Sequence, residues 1–269
     1  MKTAIIADIH ANLHALDAVL ADAARRGVTQ FLCLGDVVGY GPHPEACVEK
    51  LRTLGIPTVL GNHDKWATAK SDFGALKMPP STIPGMELAR EQLTMASILW
   101  LLTSPLLIDQ GLGNSGYAAT HASFHALGAW ESINDTQSAA RSFRCMPCFV
   151  GFYGHTHAPA IWRFWPEAGK YKAIQWSERM PNIGRPYRLK TGEHYLINPG
   201  SVGNPITSAA NPDNRAQYLI YEHLENHSKY DPGGLVTFHR VAYDIKACLD
   251  AMRKAGLPDE MIKKIELGY

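Results

Sequence analysis

The sequence predicts an α/β protein built on a parallel sheet covered on both faces. Three observations carry that expectation: short apolar runs alternate with helical patterns through the first third of the chain, the helices start at capping residues and stop at glycine, and the runs themselves are continuously apolar. Residues 3–7 (TAIIA) read as a buried strand. Asn12 then caps a helix with Leu13, Leu16, Leu20 and Ala23 on one face and Asp17, Asp22 and Arg25 on the other, and Gly27 ends it. A strand at 31–34 (FLCL), a helix from about Glu45 to Leu54 closed by Gly55, and a strand at 57–60 (PTVL) follow. Strand–helix alternation of this kind implies right-handed crossovers and parallel strands.

Residues 65–104 break the alternation. A Pro/Gly/Ser stretch (MPPSTIPG) precedes a long apolar helix from Met86 to Leu102, which reads as an insertion over the sheet. Strands are expected at 106–109 and 117–120 across a Gly-rich turn, then at 149–153 and 194–197, with a β-hairpin arm over 159–190 between the last two. Further strands at 217–221 and 235–241 lead to helices starting near Asp244 and Asp259. With no repeat and no clear linker, a single domain over 1–269 is expected, carrying insertions at 65–104 and 159–190.

Composition narrows the function classes. Of 269 residues 46% are apolar and 19% charged, which excludes bulk disorder. Lys+Arg 26 against Asp+Glu 25 leaves a net charge of +1, so no global field draws the chain to nucleic acid or anionic lipid, and neither a stable nucleic-acid complex nor a membrane partner is expected. The first apolar run is too short for the core of a signal peptide, no run approaches a membrane span, and the five cysteines are scattered, so a reducing cytoplasm is the expected location.

The chemistry sits where strands end. Asp8-Ile9-His10 follows the first strand, Gly35-Asp36 the second, Gly61-Asn62-His63-Asp64 the third; Thr120-His121 and Gly154-His155-Thr156-His157 follow later ones. In an open α/β sheet the carboxyl ends of strands share one rim, so these loops converge. Asp8/His10 and His155/His157 are i, i+2 pairs, and alternate side chains of an extended chain point the same way. Asn62 and His63, being neighbours, diverge: one can face a metal and the other a substrate. The glycines at 35, 61 and 154 are expected to let the backbone turn sharply there.

Together these motifs resemble those of the calcineurin-like metallophosphoesterases. The stretches DIHANLHAL, GDVVGYGPHP, GHTHAP and NPGSVGNP, with Arg215-Ala-x-Tyr218, are similar to the small prokaryotic phosphodiesterase branch, and the resemblance runs from Thr3 to about Val241. It implies a four-layer α/β/β/α sandwich with an inserted helical segment and a hairpin arm. It implies two divalent or transition metal ions, one held by Asp8, His10 and His157 and the other by Asn62, His121 and His155, with the Asp36 carboxylate bridging. Mixed N/O ligation suits Mn, Fe, Zn, Co or Ni, with Mn or an Fe/Zn pair favoured, and the absence of thiolates argues against a Cys-rich zinc site.

By the same resemblance a metal-bridging hydroxide cleaves a phosphate ester, more readily a diester than a monoester, while His63 is the general acid, oriented by Asp64. The expected partner is a small phosphate ester, nucleotides included, and a homo-oligomer is admitted. Two rival readings are a phosphomonoesterase (a nucleotidase or protein phosphatase) and a non-catalytic scaffold of the same fold. Gly39-Tyr40-Gly41 lacks the Arg of the protein phosphatase branch, and scaffolds have vacant ligand positions where this chain has none.

Some features are less specific. Ala122 stands where the family usually has Gly, which matters only if that backbone needs positive φ. His125 is an alternative ligand to His121. Cys145-Met-Pro-Cys148 invites a redox reading but reads better as small packed side chains. The arm's aromatics (Trp162, Phe164, Trp165, Tyr171, Trp176, Tyr187) among its cations are expected to pack inward or against another subunit rather than grip a strand of nucleic acid. Tyr40 and His43 are candidates to touch substrate. Asn198-Pro199-Gly200-Ser201 is expected to support the rim, and Leu88, Leu99, Trp100 and Leu102 to be core or dimer contacts.

Overall fold

The computed structural model describes residues 1–74, 78–110, 116–167, 170–176, 183–190, 192–207, 212–223 and 234–268. In chain order the elements are β1 (Lys2–Ile6), α1 (Leu13–Arg25), β2 (Gln30–Cys33), α2 (Pro44–Thr53), α3 (Asn62–Thr68), α4 (Ile83–Gln92), α5 (Met95–Thr103), β3 (Leu107–Asp109), β4 (Tyr117–Thr120), α6 (Thr136–Cys145), β5 (Val150–Phe152), β6 (Ala160–Glu167), β7 (Lys170–Trp176), β8 (Tyr187–Arg188), β9 (His194–Asn198), β10 (Ala216–His223), β11 (Gly234–Val241), α7 (Ile245–Lys254) and α8 (Asp259–Leu267). They form two mixed sheets, ordered β2-β1-β10-β11-β8 and β3-β4-β5-β9-β6-β7.

The layering follows from the two-residue period. Ala4 and Ile6 face a core shared with α1, α2, α4 and α5, whereas Ile5 and Ala7 face the opposite way, into a core between the sheets with Phe152, Tyr195, Ile197 and Phe238. A third core seals α6 against the outer face of the second sheet through Phe143, Trp162 and Phe164. Helix, sheet, sheet, helix is the expected sandwich. β1–β2 and β4–β5–β9 are parallel; β10, β11, β8, β3, β6 and β7 pair antiparallel, so the parallel sheet read from the first third is only part of each.

Two local expectations are corrected and one element is added. The strand at 57–60 shrinks to a single parallel bridge, Cys33 with Thr58, because Pro57 brings no N–H to the ladder. The helix from Met86 to Leu102 is two helices. Thr94 breaks it by capping α5, accepting from Ser97 N at 3.3 Å, while the Glu45 carboxylate on α2 accepts from Thr94 N at 2.9 Å. α6 went unanticipated, although Asp135 accepting from Ser138 N at 2.7 Å is a cap its sequence carries.

The arm is the β6–β7 hairpin, with β8 crossing to the first sheet beside β11. Trp162 and Phe164 pack inward as expected; Arg179 and the side chains of 166–176, Tyr171 and Trp176 among them, lie outside the described set. Leu88 is buried, Trp100 half-buried, and Leu99 and Leu102 exposed. Cys145 and Cys148 are free thiols; burial pushes the Cys148 thiol up to about 12, which keeps it protonated and unreactive. Among the described residues no helix is long and apolar enough to cross a membrane.

Candidate metal centre

The loops after β1, β2, β4 and β5, with the first turn of α3, meet at one rim and are stitched by backbone bonds. Asp8 N donates to Gly35 O at 3.1 Å, His10 N to Asp36 O at 2.9 Å and Gly154 N to His121 O at 2.8 Å. Carboxylates add to this: Asp8 accepts from His155 N at 3.1 Å and Asp36 from His63 N at 2.9 Å. Of the three glycines singled out by sequence only Gly35 has positive φ, +88°. Gly61 and Gly154 are required for space instead, since a Cβ would come 2.1 Å from Asp36 Oδ1 at the first and 2.9 Å from Asp8 Oδ2 at the second.

All seven sequence-predicted ligands are brought together. Asp8, His10 and His157 form one group of donors and Asp36, His121 and His155 another, and a third, His10, Asp36 and His63, overlaps both; within each group the donor atoms lie within 4.8 Å of one another. Asn62 Oδ1 lies 3.0 Å from His121 Nε2 and 3.0 Å from His155 Nδ1, completing the second set. Asp36 Oδ2 stands between the two sets, 3.3 Å from His121 Nε2 and 3.8 Å from His10 Nε2.

The outer ring nitrogens fix the chemistry of the inner ones. Nδ1 of His10, His157 and His121 faces the carbonyls of Val38, Asn204 and Leu34 at 3.3, 2.8 and 2.7 Å, and a carbonyl can only accept, so these Nδ1 atoms carry the hydrogen. Nε2 of His10 and His157 then presents a lone pair inward, as does that of His121 once its ring gives up its second proton. His10 Nε2 and His157 Nε2 face each other at 2.8 Å, a repulsive pairing unless a cation or proton lies between them. The donor set therefore fits a metal.

Electrostatics agrees. Burial holds His10 well below the ordinary histidine range and, with nearby imidazoles, takes His155 to about 4 and His157 to about 3, so these rings are neutral. Burial alone would raise the Asp36 carboxyl, but the His121 and His63 rings hold it well below the usual carboxylate range. His121 is the converse case: burial disfavours its charge, yet the Asp36 carboxylate raises it to about 9. Burial raises Asp8 well above its ordinary value.

Backbone strain is concentrated here. Asp8, His10, Asp36, His155 and His157, five of the seven, have φ between 48° and 67°, the left-handed region that costs non-glycine residues about 1–2 kcal/mol each. Trp130 shares that conformation at φ 61°. Its ring lies 5.8 Å from that of His121, so it packs on the second donor set. Sequence reasoning missed it, and no local pattern at 128–131 signals it. Ala122 has no positive φ, so its methyl is tolerated.

The remaining expectations divide. Asp64 does not hydrogen-bond to the His63 ring, correcting the expected orienting pair: its Oδ1 accepts from Val37 N and Val38 N at 2.9 and 3.1 Å and its Oδ2 from Gly61 N at 3.1 Å, so the carboxylate is turned to the backbone. His63 Nδ1 is buried without a hydrogen-bond partner, and burial lowers the ring's pKa. A cavity of about 250 Å³ opens over Asp36, Asn62 and His63 and includes Tyr40 but not His43, which packs on His14 at 5.2 Å. His125 binds Glu131 at 2.8 Å and belongs to no donor group. Asn198 and Ser201 support the rim, donating to Gly154 O at 2.7 Å and Asp8 O at 2.8 Å.

Comparison with known proteins decides the family. The family model for the calcineurin-like phosphoesterase superfamily domain matches residues 1–223. The chain belongs to that family. A metallophosphoesterase from Sphaerobacter thermophilus is 32% identical over 100% of both chains, with a TM-score of 0.77. An uncharacterized protein of Methanocaldococcus jannaschii is 30% identical, covering 98% of this chain and 97% of its own. A hypothetical protein of Pyrococcus horikoshii shares the fold at 18% identity, with a TM-score of 0.74 over 100% of this chain and 98% of its own. The calcineurin-like phosphoesterases are metal-dependent, and the donor groups found here are where such an ion would sit.

Proposed function

We propose that this calcineurin-like phosphoesterase hydrolyses a small phosphate ester, by preference a diester, at a centre of two metal ions, the whole chain acting as one domain. The observation that carries the reading is the Asp36 carboxylate standing between two complete N/O donor sets. Asp8, His10 and His157 would hold one ion and Asn62, His121 and His155 the other, with Asp36 shared. Bound there, two ions supply Lewis acidity to the phosphoryl oxygens and acidify a water enough to attack near neutral pH.

The protein supplies the rest. His63 Nε2, 4.0 Å from Asp36 Oδ2, is the ring atom on the side of the donors, so it is the proton source for the departing oxygen. Burial disfavours the imidazolium, and an anionic ester beside the ring restores it. Asp64 acts at one remove, tying Val37, Val38 and Gly61 so that Asp36 and His63 keep their places. Preference for diesters is drawn from the resemblance of the motifs to the phosphodiesterase branch.

The test loads the protein with Mn, Zn or Fe in turn and compares bis- with mono-p-nitrophenyl phosphate and cyclic with linear nucleotides. Faster turnover of the diesters is expected. Faster monoester turnover would favour the phosphomonoesterase reading, and no turnover with no metal retained would favour a scaffold.

A further inference from the structure

The cavity over the donor sets has an apolar side that the proposed chemistry does not use. Besides polar groups it is lined by Tyr40, Trp66, Pro79 and Ile206, which come from four separate segments. Two of these touch the proposed acid. The Tyr40 ring lies 4.9 Å from that of His63 at 56°, and the Trp66 ring 5.1 Å away at 48°. With no carboxylate on Nδ1, packing is what holds this imidazole: Tyr40 and Trp66 flank it, and Gly39 lies so close that a Cβ would come 2.9 Å from Nδ1.

Both rings are supported from outside the cavity. The Trp66 carbonyl accepts from Arg90 Nη2 at 2.9 Å, and the Arg90 guanidinium in turn stacks 3.9 Å from the Phe73 ring. Tyr40 packs on the apolar cluster of α7 and α8 that includes Leu249, Met252 and Met261. Each is only half-buried, so a face of each remains for a ligand.

A general acid must reach the leaving oxygen, so the first atoms of the departing alcohol lie beside His63 and against the rings that flank it. We propose that Tyr40 and Trp66 form the leaving-group subsite, and that the substrates are phosphate esters whose departing alcohol is compact and planar or aromatic. The cavity of about 250 Å³, open to solvent on one side, has room beside the phosphoryl group for a compact unit next to the two rings. Offset or edge contacts with two rings favour a planar group over an aliphatic one. The inference rests on His63 being the acid.

Phosphonates test the subsite without turnover. Metal-loaded protein should bind phenylphosphonate about tenfold more tightly than methylphosphonate in a calorimetric titration. Trp66→Ala should shrink that ratio to about twofold, Trp66→Phe should keep most of it, and Tyr40→Leu should reduce it in part. In parallel, methyl phosphodiesters with an aryl or a fluoroalkyl leaving group of matched acidity should be cleaved with a preference for aryl that falls in the same order. Equal affinities for the two phosphonates, or an undiminished ratio in a folded, metal-replete Trp66→Ala, would overturn the subsite. If the ratio behaves as expected while His63→Gln cleaves every ester at the wild-type rate, the acid assignment fails, and the two rings remain a binding site whose claim to the leaving group is overturned unless the aryl preference in cleavage also follows the ratio.

Discussion

At the residue scale the centre is defined by which atoms are already engaged. Asp36 serves both donor sets, so Asp36→Asn is expected to lose metal, read by elemental analysis, and with it all phosphoesterase activity. His63→Gln should keep its metal and lose about 10²- to 10⁴-fold in kcat on esters with poor leaving groups, with far less effect on p-nitrophenyl esters, which need no proton. Gly61→Ala places a methyl against the Asp36 carboxylate and should weaken metal binding while the far-ultraviolet circular dichroism stays that of the parent. The donor residues were legible in the sequence because each lies in a short motif directly after an apolar run. Asp64 differs from expectation because the resemblance implied a bond to the His63 ring, whereas the start of α3 turns its carboxylate back onto the backbone. Trp130 could not be read at all, since its contact with His121 depends on the path of a whole loop.

Elements were legible where one period persists. α1, α2 and the strands at 3–7, 31–34, 117–120 and 194–197 follow from continuous patterns and caps. The insertion was harder, because an apolar run over 86–102 says helix without saying how many. What divides it is a hydrogen-bonding choice at Thr94, tied to Glu45 on a distant helix. Thr94→Ala should therefore cost about 1 kcal/mol of stability in denaturant unfolding. Strand 57–60 failed for the opposite reason: its side chains are right, but with Pro57 at its start it contributes one bridge.

For the whole molecule, pH dependence follows from groups outside the centre as well as in it. His239, stacked on Tyr218 at 5.1 Å, is held at about 4 by burial and by the nearby Arg26 charge. Its folded value lies below the ordinary one of about 6.5, so the unfolded chain binds the proton first and stability falls as pH drops from about 6.5 toward 4. His155 and His157 add to that loss in metal-free protein, while His121, raised to about 9, contributes stability at low pH that is lost on passing pH 9. Asp213 behaves in the carboxylate sense: burial would raise it, but Arg215 and Arg240 bring it to about 2, and its contribution disappears only as pH falls from about 4 toward 2. The raised Asp8 and Asp64 carboxyls act in the opposite sense, so the His239 contribution is read by difference: between pH 6.5 and 4 the melting temperature of metal-free His239→Gln should lose less, relative to its own pH 7 value, than that of the parent.

The two donor sets do not belong to one sheet. Asp8 and Asp36 hang from strands of the first, and His121, His155 and His157 from strands of the second, whose facing surfaces meet in an apolar core. A cation shared across that seam works as a rivet at one end of it. Metal loading should slow amide exchange near Cys33, Thr120 and Phe152 and leave the far edge, near Lys2, Gln30 and Tyr117, to breathe as before.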